Sequence, residues 1–311
     1  MAAPSPDDPR ERDDPDGPNG PIELAADPTI PIPPLPGTVL AADTAERLHE
    51  RLAADLIAQA LNCVHRFGDY HLALSGGSTP MPFYERLMTD PNYRLMPWRR
   101  THLWIVDERR VPFEDEKSNY RHIHEIIAEH ADIPAAQVHP IPAMEEDAAA
   151  QYERALRESL GWRERGQDRL DFVLLGMGDN GHTASLFPMT RVLDERERWV
   201  GLCDGPTVTP PPRVTMTYPL INAARFVGVL VVGANKAEMI SRVARGKEDY
   251  HELPIKGIQP LAGELRWYLD RAACGDSTPI DPGAHPGGPR THAPRRDEQG
   301  APRPNEPGSP R

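Results

Sequence analysis

The sequence predicts an α/β fold: an open, mostly parallel sheet with helices on both faces, Rossmann-like, in one domain with disordered termini. Three observations predict it. Segments of helical and of strand character alternate along the middle of the chain. Two of them, LDFVLLG from Leu170 and FVGVLVVG from Phe226, are near-continuous apolar runs, as strands covered on both faces require. The loops richest in glycine and charge follow strands, which is where such sheets bind ligands.

Composition sets the limits of the domain. Of 36 prolines in 311 residues, 11 lie in residues 1–37 and 9 in residues 275–311, and both ends are poor in large apolar side chains. Such segments bury too little apolar surface to offset their conformational entropy, so both are expected to be disordered tails. Residues 38–274 remain, enough for one domain with a sizeable core. The N-terminal tail lacks the basic start and apolar stretch of a signal peptide, and no apolar run is long enough to span a bilayer. The formal charge is −12, of which −6 falls on residues 1–37 and none on the last 37. An acidic core lacks the basic footprint of a nucleic-acid binder, and no membrane partner is expected. Cys63, Cys203 and Cys274 are odd in number and widely spaced. They point to a reducing cytosol, with no disulfide framework.

The elements follow in order. Residues 44–67 carry apolar residues at helical spacing, with Thr44 as N-cap. HLALS from His71 is a short strand running into GGSTP, and HLWIVDE from His102 is a second strand that ends in charge. SNYRHIHEIIAEHA from Ser118 reads as a helix capped by Ser118 or Asn119, and DAAAQYERALRESLGW from Asp147 as a helix that stops near Gly161.

Four loops carry chemistry. In LALSGGSTP, Gly76 and Gly77 let the backbone approach a ligand, Ser78 follows, and Thr79 reads as N-cap with Pro80 as the first helical residue. A helix start offers free N–H donors and a positive dipole end, so the loop is either a phosphate cradle or a well-capped turn. In the second, Asp107, Glu108 and Arg109 end a buried strand together, and Arg109 has the fork that pairs with phosphate. A solvated ion-pair cluster is the competing reading. His122 and His124, two apart on a helix, point to different faces and do not make a metal pair. No CxxC, HExxH or GxSxG occurs, so neither metal nor a serine nucleophile is expected.

The third loop, GMGDNGHTASLFP from Gly176, matches GxGxxG by coincidence, because Pro188 leaves no room for the long helix a dinucleotide site needs. What it offers is His182, framed by glycines at a strand end, able to act as a general base near neutrality. In the fourth, VVGANKAEMI, Lys236 follows a buried strand and begins a helix. One phosphate cradle, two cations and one histidine on one sheet edge make a site for a small phosphorylated substrate and proton transfer, with no cofactor.

LALSGGSTP, VDERRVPFEDEKSNY, GMGDNGHTASLFP, RVTMTYPLINAARFVGVLVVGANKAEM and LPIKGIQPLAGELRWYLD resemble, in order, the five signature blocks of the 6-phosphogluconolactonases. The resemblance covers about residues 40–272. It implies cofactor-independent hydrolysis of 6-phospho-D-glucono-1,5-lactone, a small phosphorylated sugar lactone, in the oxidative pentose phosphate pathway. It also implies a functional link to glucose-6-phosphate dehydrogenase and a cytoplasmic location. It makes His182 the base that activates water, with Asn180 and Asp107 in the catalytic group. Gly76, Gly77, Ser78, Thr79, Arg109 and Lys236 become phosphate-binding, and Arg213 a contact to the substrate or its oxyanion. The related glucosamine-6-phosphate deaminases/isomerases carry GHIAFNEP with a catalytic glutamate where this chain has GHTASLFP, and they stay as the alternative. A non-catalytic sugar-phosphate sensor is the other, but residues 1–37 are acidic and proline-rich where a DNA-binding segment is wanted. The lactonases commonly have GxDGH; here Asn180 stands before Gly181 and His182, with Asp179 one place earlier.

Overall fold

The computed structural model describes residues 30–205, 208–209 and 212–275. Of the expected tails, 1–37 and 275–311, residues 1–29 and 276–311 lie outside the described residues. In chain order the elements are β1 (Thr38–Ala42), α1 (Ala45–Phe67), β2 (Tyr70–Leu74), α2 (Met81–Thr89), β3 (Thr101–Ile105), β4 (Asp107–Arg109), α3 (Asn119–Ile123), β5 (Val138–His139), α4 (Ala148–Leu160), β6 (Phe172–Gly176), β7 (Val200–Cys203), β8 (Arg213–Met216), α5 (Tyr218–Ile221), β9 (Phe226–Val231), α6 (Ala237–Arg245) and β10 (Glu264–Asp270).

Seven strands form a parallel sheet in the order β1-β10-β9-β6-β2-β3-β5. From β2 the chain proceeds to β3 on one side, and from β6 it reaches β9 on the other. The strand order therefore reverses between β6 and β2, which opens a crevice beyond their carboxyl ends. Every residue of β2 and β9 is buried, as expected of strands covered on both faces. On α1 the buried residues include Leu48, Leu52, Leu56, Ala60 and Cys63, one stripe at helical spacing laid on the sheet. Burying each such leucine contributes about 1.5–3 kcal/mol. Thr44 caps α1, its Oγ1 accepting from Arg47 N at 3.3 Å, and Gly68 closes it at φ +89°.

Four local expectations are corrected. HLWIVDE is not one strand: Val106 donates to Leu74 O at 3.0 Å but accepts from Met216 N at 2.8 Å, so the chain changes partner there. Asp107–Arg109 then pair antiparallel with β8, in a second sheet of order β4-β8-β7. The helix expected from Ser118 keeps α-helical geometry only to Ile123 and widens into a π-turn over His124–Ala128, with Glu129 N on His124 O at 3.0 Å. Helix α2 starts at Met81, with Pro80 as its cap residue, so Thr79 belongs to the loop and caps nothing. The folded chain also reaches back into the expected N-terminal tail: Leu35 is buried and Trp267 Nε1 donates to Pro36 O at 2.9 Å. No helix among the described residues is long and apolar enough to cross a membrane.

Candidate functional site

The four loops singled out above follow β2, β3, β6 and β9, which are consecutive in the sheet order β9-β6-β2-β3. One cleft lies over the crevice, walled by Ser75 to Pro80, Asp107, Arg109, Asn119, Gly176 to Gly178, His182 to Ala184, and Arg213. Gly76, Gly77, Ser78 and Thr79 all reach it. Tyr84 Oη holds the start of their loop by donating to Ser75 O at 2.8 Å. Gly77 sits at φ +95°, a backbone conformation that favours glycine.

The strand β4 places Asp107 and Arg109 on the wall and turns Glu108 the other way. The Glu108 carboxylate accepts from the backbone N–H groups of Arg109 (2.8 Å), Asn119 (2.8 Å) and Tyr120 (2.7 Å), and from Ser118 Oγ (3.1 Å). It fastens the start of α3 and is no part of a solvated cluster. Arg109 Nη1 donates to Lys117 O, while its buried Nε has no partner among the described residues. That guanidinium is held in place with donor capacity to spare.

The loop after β6 is wound around His182. Gly178 N donates to His182 O at 2.8 Å and Gly181 N to Gly178 O at 3.0 Å. A Cβ on Gly178 would stand 2.0 Å from His182 Cε1, so that glycine exists to admit the imidazole. The ring stacks on Phe187 with centroids 4.2 Å apart. Asn180 Oδ1 lies 2.5 Å from His182 Nδ1 and also accepts the His182 backbone N–H at 3.2 Å. A backbone N–H can only donate, so this atom is the amide oxygen, Nδ1 carries the hydrogen, and the lone pair is on Nε2. Burial pushes the imidazole down to about 4; Asp107 pulls it up, and Arg213 and Lys236 push it down. It is therefore neutral at pH 7, as a base must be.

Arg213 enters from β8. It is buried, its Cζ lies 5.1 Å from the centroid of Phe187, and its Nη2 donates to Thr209 O. Asp107 Oδ2 is 4.0 Å from Arg213 Nη1 and accepts from Ser185 Oγ at 2.5 Å. Lys236 does not line the cleft: its ammonium pairs with Asp179, close enough to His182 to push the imidazole down. Sequence reasoning passed over Asn119, Ser75 and Phe187 as site residues. All three stand inside or beside the quoted motifs, but nothing local to the sequence says which way they face.

Among the described residues, Asp69, His71 and His102 bring ligand atoms within 4.8 Å of one another. They lie at the amino ends of β2 and β3, away from the cleft. His71 Nε2 meets Asp69 at 3.2 Å and its Nδ1 accepts from Trp104 Nε1 at 3.1 Å, so both ring nitrogens are already bonded.

A family model described as glucosamine-6-phosphate isomerases/6-phosphogluconolactonase matches residues 43–267. A GDH/6PGL endoplasmic bifunctional protein of Homo sapiens is 41% identical over 233 residues, 72% of this chain, which spans only 28% of that protein's length. A 6-phosphogluconolactonase of Nostoc sp. is 40% identical over 225 residues, 70% of this chain and 90% of the relative. Among solved structures, a 6-phosphogluconolactonase of Thermotoga maritima is 26% identical with a TM-score of 0.64, covering 75% of this chain and 99% of the other.

Proposed function

The chain belongs to the family of glucosamine-6-phosphate isomerases and 6-phosphogluconolactonases, and from that premise we propose that it hydrolyses 6-phospho-D-glucono-1,5-lactone to 6-phospho-D-gluconate. The observation that carries the mechanism is the His182 imidazole on the cleft wall, with Nδ1 held 2.5 Å from Asn180 Oδ1 and its lone pair therefore on Nε2.

The 6-phosphate is held by the Gly76–Thr79 loop and Arg109, which line the same cleft. His182 Nε2 takes a proton from water as the water oxygen attacks the lactone carbonyl. The imidazolium then returns that proton to the departing ring oxygen as the tetrahedral intermediate collapses. Acid–base help of this kind is worth roughly 10²–10⁴ in rate, which suits a substrate that is already a reactive ester. Arg213 supplies positive charge to the developing oxyanion. Asparagine at 180 orients the imidazole but brings no charge to stabilise its protonated form; Asp107 is the first charge that favours that form here. Lys236 contributes at the rim, its charge shared with Asp179.

Residues 183–187 contain no carboxylate, which counts against the deaminase reading. A functional link to glucose-6-phosphate dehydrogenase is supported by relatives whose names join GDH and 6PGL in one bifunctional protein. The small, odd number of widely spaced cysteines supports a cytoplasmic setting. The test is acid release from freshly generated 6-phosphogluconolactone, corrected for spontaneous hydrolysis, beside ammonia release from glucosamine 6-phosphate. Lactone turnover without ammonia is expected; ammonia without lactone turnover would overturn the assignment.

A further inference from the structure

The cleft wall holds polar groups that the mechanism above does not use, and Asn119 is one of them. Asn119 is 2% exposed and stands on the cleft wall, yet its Oδ1 has no hydrogen-bond partner among the described residues. Its other side-chain atom is committed: Nδ2 donates to Asp107 O at 2.7 Å. A backbone carbonyl only accepts, so the amide orientation is fixed by chemistry and the unpartnered atom is the oxygen. Its backbone is fixed as well, because Asn119 N donates to buried Glu108 at 2.8 Å.

The oxygen faces the phosphate loop directly. A Cβ on Gly76 would lie 2.0 Å from Asn119 Oδ1 and 2.2 Å from its Cγ. Glycine at 76 therefore makes room for this amide as much as for a ligand. A buried carbonyl left unpaired is unfavourable, and a rigid one held against the Gly76 backbone at the cleft wall is a preformed acceptor.

An acceptor calls for a donor on the ligand. A phosphate dianion has none, and neither has the lactone carbonyl or the ring oxygen. The hydroxyl groups of the sugar do. Resting on the lactonase reading, we propose that Asn119 Oδ1 accepts from one ring hydroxyl of the substrate and is a specificity-determining residue, selecting a polyhydroxylated ring between the phosphate loop and His182.

The test is a cycle between residue and substrate. kcat/KM is measured for the parent and for Asn119→Ala on the 6-phospholactone and on its 2-, 3- and 4-deoxy forms. Asn119→Ala should lose about ten- to a hundredfold on the full substrate, since a site built to bond a hydroxyl discriminates through that bond. On one deoxy form the same substitution should cost less than about threefold, because the bond is already gone. Losing the Asp107 contact harms every substrate alike and cancels in the comparison. Equal losses on all four lactones would overturn the proposal and leave Asn119 a positioning residue. Should Asn119→Ala fail to fold, Asn119→Ser enters the same cycle. As an independent readout, Asn119→Ala should weaken binding of 6-phosphogluconate and leave inorganic phosphate unchanged; equal weakening of both also overturns it. A parent enzyme without lactone turnover would instead count against the lactonase reading itself.

Discussion

Asn180 Oδ1 accepts from both the ring Nδ1 and the backbone N–H of His182, at 2.5 and 3.2 Å, so one amide oxygen fixes both the loop and the tautomer. The ring cannot rotate to present Nδ1 to the cleft without breaking that bond and leaving its stack on Phe187. This geometry turns a family expectation about a histidine into a claim about one nitrogen, Nε2, and its protonation.

His182→Ala should lower kcat by about a hundredfold or more, the usual contribution of a positioned base. Affinity for 6-phosphogluconate should change little, because the phosphate loop is formed without the ring. Turnover within about threefold of the parent would place the base elsewhere.

Arg109 and Lys236 should now separate. Arg109 lines the cleft with an unpartnered Nε, whereas Lys236 is tied to Asp179. A charge-assisted contact contributes about 1.5–3 kcal/mol, so Arg109→Ala should weaken the phosphorylated lactone roughly ten- to a hundredfold relative to the unphosphorylated one. Lys236→Ala should show a smaller preference for the phosphorylated lactone. Equal losses on both lactones would make Arg109 structural.

The loops that carry the site were legible in the sequence because their signals are local: glycines after apolar runs, a histidine among them, cations at helix starts. What joins them is not local. Arg213 meets Asp107 only because β8 pairs with β4, and strands of three or four residues leave no periodic signature. Asn119 read as a helix cap, and it became a cleft residue only once buried Glu108 fixed the start of α3. The partner change at Val106 was hidden for the same reason, since a strand that crosses between sheets keeps the same apolar pattern.

Residues 30–37 should matter to stability and the segments beyond 30–275 should not. Leu35 is buried and Pro36 O accepts from Trp267 Nε1, whereas composition argues against a core contribution from the two ends. A chain starting at residue 38 should melt about 4–8 °C lower than one of 30–275, since burying a leucine and making one hydrogen bond contribute about 2 kcal/mol. Identical melting temperatures would remove Leu35 from the core; a large drop on trimming to 30–275 would show that an end packs on it.

At the amino ends of the strands, His71 stacks on His102 at 4.5 Å and His102 Nδ1 lies 3.0 Å from His139 Nε2. Burial pushes His102 down to about 4 and His139 to about 3. The unfolded chain takes up protons below about pH 6.5 that the folded chain refuses until pH nears 4, so stability falls as pH drops through that window. The urea midpoint should fall between pH 7 and 5. It should fall less in His139→Phe, which keeps the stack on Trp104 and removes one titrating group. The same fall in parent and variant would acquit these histidines.

Replacing Asn180 by aspartate tests the tautomer argument through pH. With the imidazole held down to about 4, the parent's kcat/KM should be flat from about pH 5.5 to 7.5. In Asn180→Asp, a carboxylate takes the place of the amide oxygen 2.5 Å from Nδ1. An opposite charge at that range favours the imidazolium and raises its pKa. The base must be neutral in the free enzyme, so the acidic limb should move up into the measured window. Activity is lost at pH 5.5 and kept or increased above neutrality, where the more basic imidazole is still unprotonated. A limb that stays put, with normal activity above it, would mean that position 180 shapes the loop without tuning the base. A limb that moves to lower pH would remove His182 as the titrating group, because no arrangement of an added carboxylate beside Nδ1–H can favour the neutral ring.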